Sequence, residues 1–149
     1  MPLEHRQDCI GSAKVGQVLI GDGITIPLDR DPTRGGLAAT LNEIVSETDL
    51  SIMINEKYVP IDPKVRAASE VLGFDVLSIA NEGKVVIVVD RENAEQCLEM
   101  CKNNPLGKKA VIIGQVEQAG DTAVVQMNTK IGGRRVVPMS SGTELSRIC

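Results

Sequence analysis

The sequence predicts an α+β fold: a mixed, largely antiparallel sheet with helices packed on it. Three observations carry that expectation. Helical and strand-like segments intermix along 149 residues, enough chain to enclose one hydrophobic core without disulfide or metal staples. The last strand-like segments follow one another with only turn residues between them, which favours antiparallel neighbours over a purely parallel sheet. Hydrophobic residues make up 42% of the chain, yet the aromatics are reduced to Phe74 and Tyr58, with no Trp. The interior must therefore be built from Val, Ile, Leu, Met and Ala.

Residues 1–30 are the least legible, with one short apolar run and turn-forming glycines in "VGQVLIGDGITIPLDR" and little helical period. Next, "LAATLNEIVSE" places Leu37, Leu41, Ile44 and Val45 on one helical face. "LSIMIN", 50–55, reads as a strand. In "IDPKVRAASEVLG", Asp62 is placed to cap a helix, Pro63 to take its first position and Gly73 to stop it. Val65, Ala68 and Leu72 are expected to face the core. "KVVIVVD", 84–90, is apolar at nearly every position, so a strand covered on both faces is expected. "ENAEQCLEMCKNN" sets Ala94, Cys97, Leu98 and Cys101 on one side of a helix. "KKAVIIGQVEQ" and "TAVVQMNT" read as two strands joined in a hairpin around Ala119-Gly120-Asp121. A last strand is expected within "GGRRVVPM", ahead of the tail "SSGTELSRIC".

The net charge of −4 argues against sequence-independent nucleic-acid binding, which needs a basic face to displace counterions, and stacking on bases lacks aromatic platforms. The pairs Lys108, Lys109 and Arg134, Arg135 read as solvated surface. No stretch approaches the ~20 apolar residues of a membrane span, and "MPLEHRQDC" has no apolar signal-peptide core behind its charges. Neither nucleic acid nor membrane is an expected partner. The chain is expected in the cytoplasm, with its four cysteines reduced.

Two loop motifs are candidates for chemistry. "DPTRGG", Asp31 to Gly36, stands at the entrance to a helix. Its glycines permit close backbone approach, the helix N-terminus exposes unpaired N–H groups, and Arg34 offers a bidentate contact to a phosphate. The alternative is a glycine turn with Asp31 capping the helix and Arg34 in water. "ANEG", Ala80 to Gly83, sets Glu82 just before a buried strand, where a carboxylate serves as general base if it lies near the reacting atom. The alternative is an exposed turn. Cys97 and Cys101 are one helical turn apart but have no His or second Cys pair with them, so buried hydrophobes are expected rather than metal ligands, and no metal site is predicted. His5 is the single histidine, which leaves a Ser-His-Asp relay without support.

Cys149 closes the sequence. A nucleophilic thiol gains reactivity from a nearby cation or helix N-terminus, whereas here an adjacent carboxylate opposes it and Arg147 is the local compensation. Such a thiol must borrow its activation elsewhere. From Ser140 onward the tail reaches roughly 33 Å at about 3.3 Å per residue, enough to carry the sulfur between two sites.

In order and spacing, "DPTRGGLAATLNEI", "VRAASEVLGFDVLSIANEGKVV", "PLGKKAVIIGQV" and the terminal "RIC" resemble the hydrogenase expression/formation protein family HypE, over about four fifths of the chain. That family shares a superfamily of ATP-dependent enzymes with aminoimidazole ribonucleotide synthetase and selenophosphate synthetase. The resemblance implies a fold like the C-terminal domain of aminoimidazole ribonucleotide synthetase over 31–139, preceded by a poorly matched segment, 1–30, and followed by a flexible tail, 140–149. It also implies a part in making the cyanide ligands of iron in nickel-iron hydrogenases. A carbamoyltransferase, HypF, would load a carbamoyl group onto the terminal thiol. ATP with Mg would then activate the carboxamide oxygen, leaving a thiocyanate whose cyano group passes to iron on a HypC-HypD scaffold. Carried over by position, Cys149 is the carrier, and Arg147 and Ile148 belong to its recognition tail. Asp31, Thr33, Arg34, Gly35, Gly36 and Asn81 line the ATP-phosphate cleft, and Glu82 removes the carboxamide protons.

Two departures from the family bear on function. Ser146 stands where the family's tail has a proline, which would restrict the tail before docking. The thirty residues before "DPTRGG" are also too few for the family's N-terminal ATP-binding domain, since a domain needs about 50 residues. The chain is therefore expected to be the C-terminal domain alone and inactive by itself, with a homodimer expected of the full-length form. A selenophosphate or aminoimidazole ribonucleotide synthetase relative and a non-catalytic binding module are the alternatives.

Overall fold

A computed structural model of the chain describes residues 16–21, 35–81 and 84–139. Its elements run β1 (Gly16–Gly21), α1 (Gly36–Thr48), β2 (Leu50–Asn55), α2 (Pro63–Leu72), a 3-10 turn (Val76–Ser78), β3 (Val85–Val89), α3 (Arg91–Asn103), β4 (Val111–Gln118), β5 (Val125–Asn128) and β6 (Arg134–Val136). The strands form one sheet in the order β3-β1-β4-β2-β5-β6. β1 pairs parallel with β3 on one side and β4 on the other. β2 runs antiparallel to β4 and parallel to β5, and β6 closes antiparallel on β5.

The α+β class and the mixed sheet are as the sequence predicts, but the balance of pairing is not. Parallel pairs outnumber antiparallel ones because β2 inserts between β4 and β5, which abolishes the expected β4–β5 hairpin. Strands flanking a third lie roughly 10 Å apart, at about 4.8 Å per step. Residues 119–124 cross that gap instead of folding straight back. The hairpin comes one strand later, where β5 and β6 pair through 129–133. There Gly132 takes φ +90° and the Thr129 N–H donates to the Gly133 carbonyl at 2.8 Å. β1 lies in the stretch that was hardest to read and has neighbours on both sides in the sheet.

Val85 to Val88 are all buried, and alternate residues of a strand serve opposite faces. Val86 and Val88 join the larger core with Leu37, Leu41, Ile44 and Val45 of α1. Val85 and Ile87 pack with Cys101 of α3 and with Ala110. α1 and α3 thus cover opposite faces, and β3 is the doubly covered strand its composition predicts. Asn42 Nδ2 donates to the Val137 carbonyl at 3.0 Å, tying α1 to the chain just beyond β6.

The caps of α2 are also as expected. The Asp62 carboxylate accepts from the Lys64 N–H at 2.8 Å, Pro63 opens the helix, and Gly73 ends it at φ +71°. Its expected core face is wrong, however: Val65, Ala68 and Leu72 are exposed and Ser69 is the buried residue. The helix packs on the 3-10 turn rather than on the sheet, so only a narrow edge is covered. The Ser69 hydroxyl is satisfied there by the Val65 carbonyl at 2.7 Å. Arg66 holds the helix to the end of β2 through an ion pair with Glu56 at 2.9 Å.

Candidate functional site

The helix that follows "DPTRGG" begins at Gly36 with Gly35 as its N-cap, and both glycines adopt positive φ, 68° and 62° for Gly35 and Gly36. Among the described residues no side chain caps the helix, which leaves the N–H groups of its first turn free of that competitor. Gly36 is also pressed against the segment leading to "ANEG". A Cβ added there would stand 2.5 Å from the Leu77 carbonyl oxygen and closer still to that of Ile79. Only a residue without a side chain lets these two loops meet.

Where they meet lies a cleft of about 210 Å³. Leu37, Val59, Ile61, Val65, Val76 and Ile79 give it apolar walls, and Asp62, Asn81 and Lys84 contribute polar groups. Asp62 is already engaged as the α2 cap. Desolvation by burial pushes the Lys84 ammonium pKa below its usual value. Among the described residues Lys84 makes no ion pair or hydrogen bond. Sequence reading passed over Lys84. The available signal was a lone cation immediately before a wholly aliphatic strand.

The structure therefore brings Gly35, Gly36 and Asn81 of the expected site to one region. Asp31, Thr33, Arg34, Glu82, Arg147, Ile148 and Cys149 lie outside the described residues. For ATP, the glycine-led helix terminus, the Asn81 amide and the Lys84 ammonium suit a phosphoryl group. The enclosed volume is below the roughly 300–1,000 Å³ of pockets that bury a drug-sized ligand. These residues fit the phosphate end of a nucleotide and cannot enclose a whole one.

Cys97 and Cys101 pack on the second core, as expected of small hydrophobes: Cys101 is buried and Cys97 half-buried. Their thiols are hydrogen-bonded, which lowers the Cys101 pKa to about 7 against the opposing effect of burial. Among the described residues, no three His, Cys, Asp or Glu side chains group together to hold a metal, and no helix is long and apolar enough to cross a membrane.

A helix led by two positive-φ glycines, set against a loop at the edge of a mixed sheet, defines the class of domain. The chain belongs to the family described as AIR synthase related protein, C-terminal domain, which matches residues 14–126. It is similar to the carbamoyl dehydratase HypE of Rhizobium leguminosarum bv. viciae, with 48% identity over 152 residues that cover 99% of this chain and 43% of that protein. Among solved structures it resembles a hydrogenase maturation protein HypE at TM-score 0.75 and 42% identity, over 80% of this chain and 39% of that one. A HypE in complex with ATP matches at TM-score 0.70 and 40% identity, over 74% and 35%. A HypE-HypF complex matches at TM-score 0.68 and 45% identity, over 73% and 35%. The chain spans about two fifths of the length of the relatives it matches.

Proposed function

We propose that this chain supplies the C-terminal domain of an ATP-dependent carbamoyl dehydratase that serves nickel-iron hydrogenase maturation in the cytoplasm. The observation that supports it best is the close backbone contact of Gly36 with Leu77 and Ile79, beside a cleft lined by Leu37 and Asn81, in a chain 48% identical to a carbamoyl dehydratase. Cys149 carries the carbamoyl group as an S-carbamoyl thiocarbamate, received from a HypF carbamoyltransferase. ATP with Mg, when bound, supplies the phosphoryl group that turns the carboxamide oxygen into a leaving group. Gly35, Gly36 and Asn81, with Asp31, Thr33 and Arg34, hold the phosphate oxygens. Glu82 accepts the N–H protons, since a primary amide must shed two of them to become a nitrile. The oxygen departs with phosphate, and the S-cyano product passes its cyano group to iron on a HypC-HypD scaffold, which supplies the two electrons that release cyanide and the Cys149 thiolate. Arg147 and Ile148 guide the tail between sites, and a tethered thiol is present at high effective concentration in each. The complete nucleotide site needs the remainder of the longer protein and a second copy, so this chain alone does not dehydrate its carbamoyl group.

Intact-mass spectrometry after incubation with carbamoyl phosphate, ATP and the carbamoyltransferase tests the carrier role. One added carbamoyl group, lost in Cys149→Ala, is expected. An unmodified mass alongside a transferase proven active on a full-length HypE would overturn the reading.

A further inference from the structure

Lys84 stands out among the groups that this reading leaves without a task. It immediately precedes β3, whose residues are all aliphatic, and lines the cleft beside Asn81. The cleft is otherwise mostly apolar, and its one carboxylate among the described lining residues, Asp62, caps α2 through the Lys64 N–H and makes no ion pair with Lys84. Among the described residues no anion compensates the Lys84 charge. A partly desolvated cation without a counter-charge is unfavourable by itself and gains most when an anion arrives. A phosphoryl oxygen would meet three kinds of donor here: an ammonium, an amide and the uncapped first turn of α1, whose Leu37 lines the same cleft.

We propose that Lys84 is a phosphoryl-binding residue of the cleft, holding the anionic oxygens that the neutral donors Asn81 and the α1 N-terminus cannot neutralise. The inference rests on the reading that phosphoryl transfer takes place at this cleft. Two sources share that chemistry: a terminal nucleotide phosphate and the smaller O-phosphorylated carboxamide.

The test is a pair of titrations of this chain, with inorganic phosphate and with ATP, followed by NMR of the Asn81 side-chain amide and the Gly36 backbone amide. Saturable shifts are expected. Lys84→Met should weaken binding at least about tenfold, the loss of a charge-assisted contact, while Lys84→Arg retains it. Lys102→Met, on the exposed side of α3, should bind as the wild type does. Shifts with both ligands assign Lys84 to the nucleotide phosphate, and shifts with phosphate alone assign it to the phosphorylated carboxamide. No saturable shift, or equal affinity in a folded Lys84→Met variant, overturns the proposal. Carbamoylation of Cys149 is read separately by mass. A carbamoylated chain that ignores phosphate refutes the Lys84 assignment alone, and a phosphate-binding chain that is never carbamoylated refutes the carrier reading alone.

Discussion

Replacing Gly36 with Ala tests whether the two loops of the site are held together by backbone contact. Two penalties act at once. At φ +62°, a residue with a side chain is in the left-handed region, at about 1–2 kcal/mol. The new methyl also meets two carbonyl oxygens, those of Leu77 and Ile79, at distances no real Cβ tolerates. Both belong to the backbone, so relief requires moving the 3-10 turn or the start of α1, at about 1–3 kcal/mol for overpacking. Gly73 provides the control. Its φ is +71°, and nothing lies within 4 Å of an added Cβ, so Gly73→Ala carries the conformational penalty alone. Both variants gain equally from a less flexible unfolded chain. Urea unfolding followed by far-ultraviolet circular dichroism suits a protein without Trp. With m of about 1–3 kcal/mol/M, Gly36→Ala should unfold roughly 1 M earlier than Gly73→Ala. Coincident midpoints would refute the claim that the Gly36 contact holds the loops in place.

Other expectations follow from the same geometry. Glu56 accepts from the Lys130 N–H and pairs with Arg66, and the two together hold its pKa below the ordinary 4.5 despite some burial. The stability it contributes is present above that ordinary value and is lost as pH falls through the folded pKa. Glu56→Gln should therefore cost about 1 kcal/mol at neutral pH and little at pH ~3; equal losses at both pH values would contradict this. Cys97→Ala removes the hydrogen bond that lowers the Cys101 pKa, so the Cys101 thiolate should appear at higher pH than in the parent; absorbance is compared in a background with Cys9 and Cys149 replaced by Ser. Gly114→Ala pushes a methyl against the Met53 carbonyl and the Ile54 Cα across the β2–β4 pair; it should destabilise by about 1–3 kcal/mol in the same urea assay. This chain alone should bind ATP too weakly for calorimetry, although saturably at the higher concentrations of the NMR titration, and tight binding would show that its own residues complete the nucleotide site.

The sequence was legible wherever a contact is local. The α1 stripe, the α2 caps and the α3 stripe repeat at helical spacing, and each is visible within a dozen residues. Long-range pairing left no such trace. β1 gains its place from partners near residues 85 and 111, so its short apolar run carried no sign of lying between other strands. The same holds for β2, which separates β4 from β5 although its sequence is remote from both. The apolar side of α2 misled for a different reason. Amphipathic spacing says which side is apolar, but not whether a neighbour is present to cover it. In the proposed site, Gly35, Gly36 and Asn81 are expected from the resemblance, and the structure sets Gly36 against the segment that leads to Asn81. Lys84 was missed because a Lys at a strand end is ordinarily a surface residue, and only the folded walls of the cleft remove it from water.

The division of labour between sheet and loops explains why these positions coincide. The strands and the two covering helices form both cores, whereas the cleft is walled by the start of α1, the 59–62 loop and α2, and the segment from 76 to 84. Those pieces do not pair with one another in the sheet, so something else must set their spacing. The Gly36 contact with the Leu77 and Ile79 carbonyls does so at the α1 side, and the Glu56–Arg66 ion pair does so at the α2 side. The two restraints differ in kind. A backbone contact is insensitive to pH and salt, while a partly buried ion pair is weakened by acid that protonates its carboxylate. Acidification should therefore loosen the α2 wall before the Gly36 wall, so any ligand held mainly by Asn81 and Lys84 should tolerate lower pH than one that depends on Val65. Comparing the pH dependence of phosphate shifts at Asn81 with that of the Val65 methyl signals separates the two restraints. Parallel loss of both sets of signals would mean that the cleft opens as a single unit.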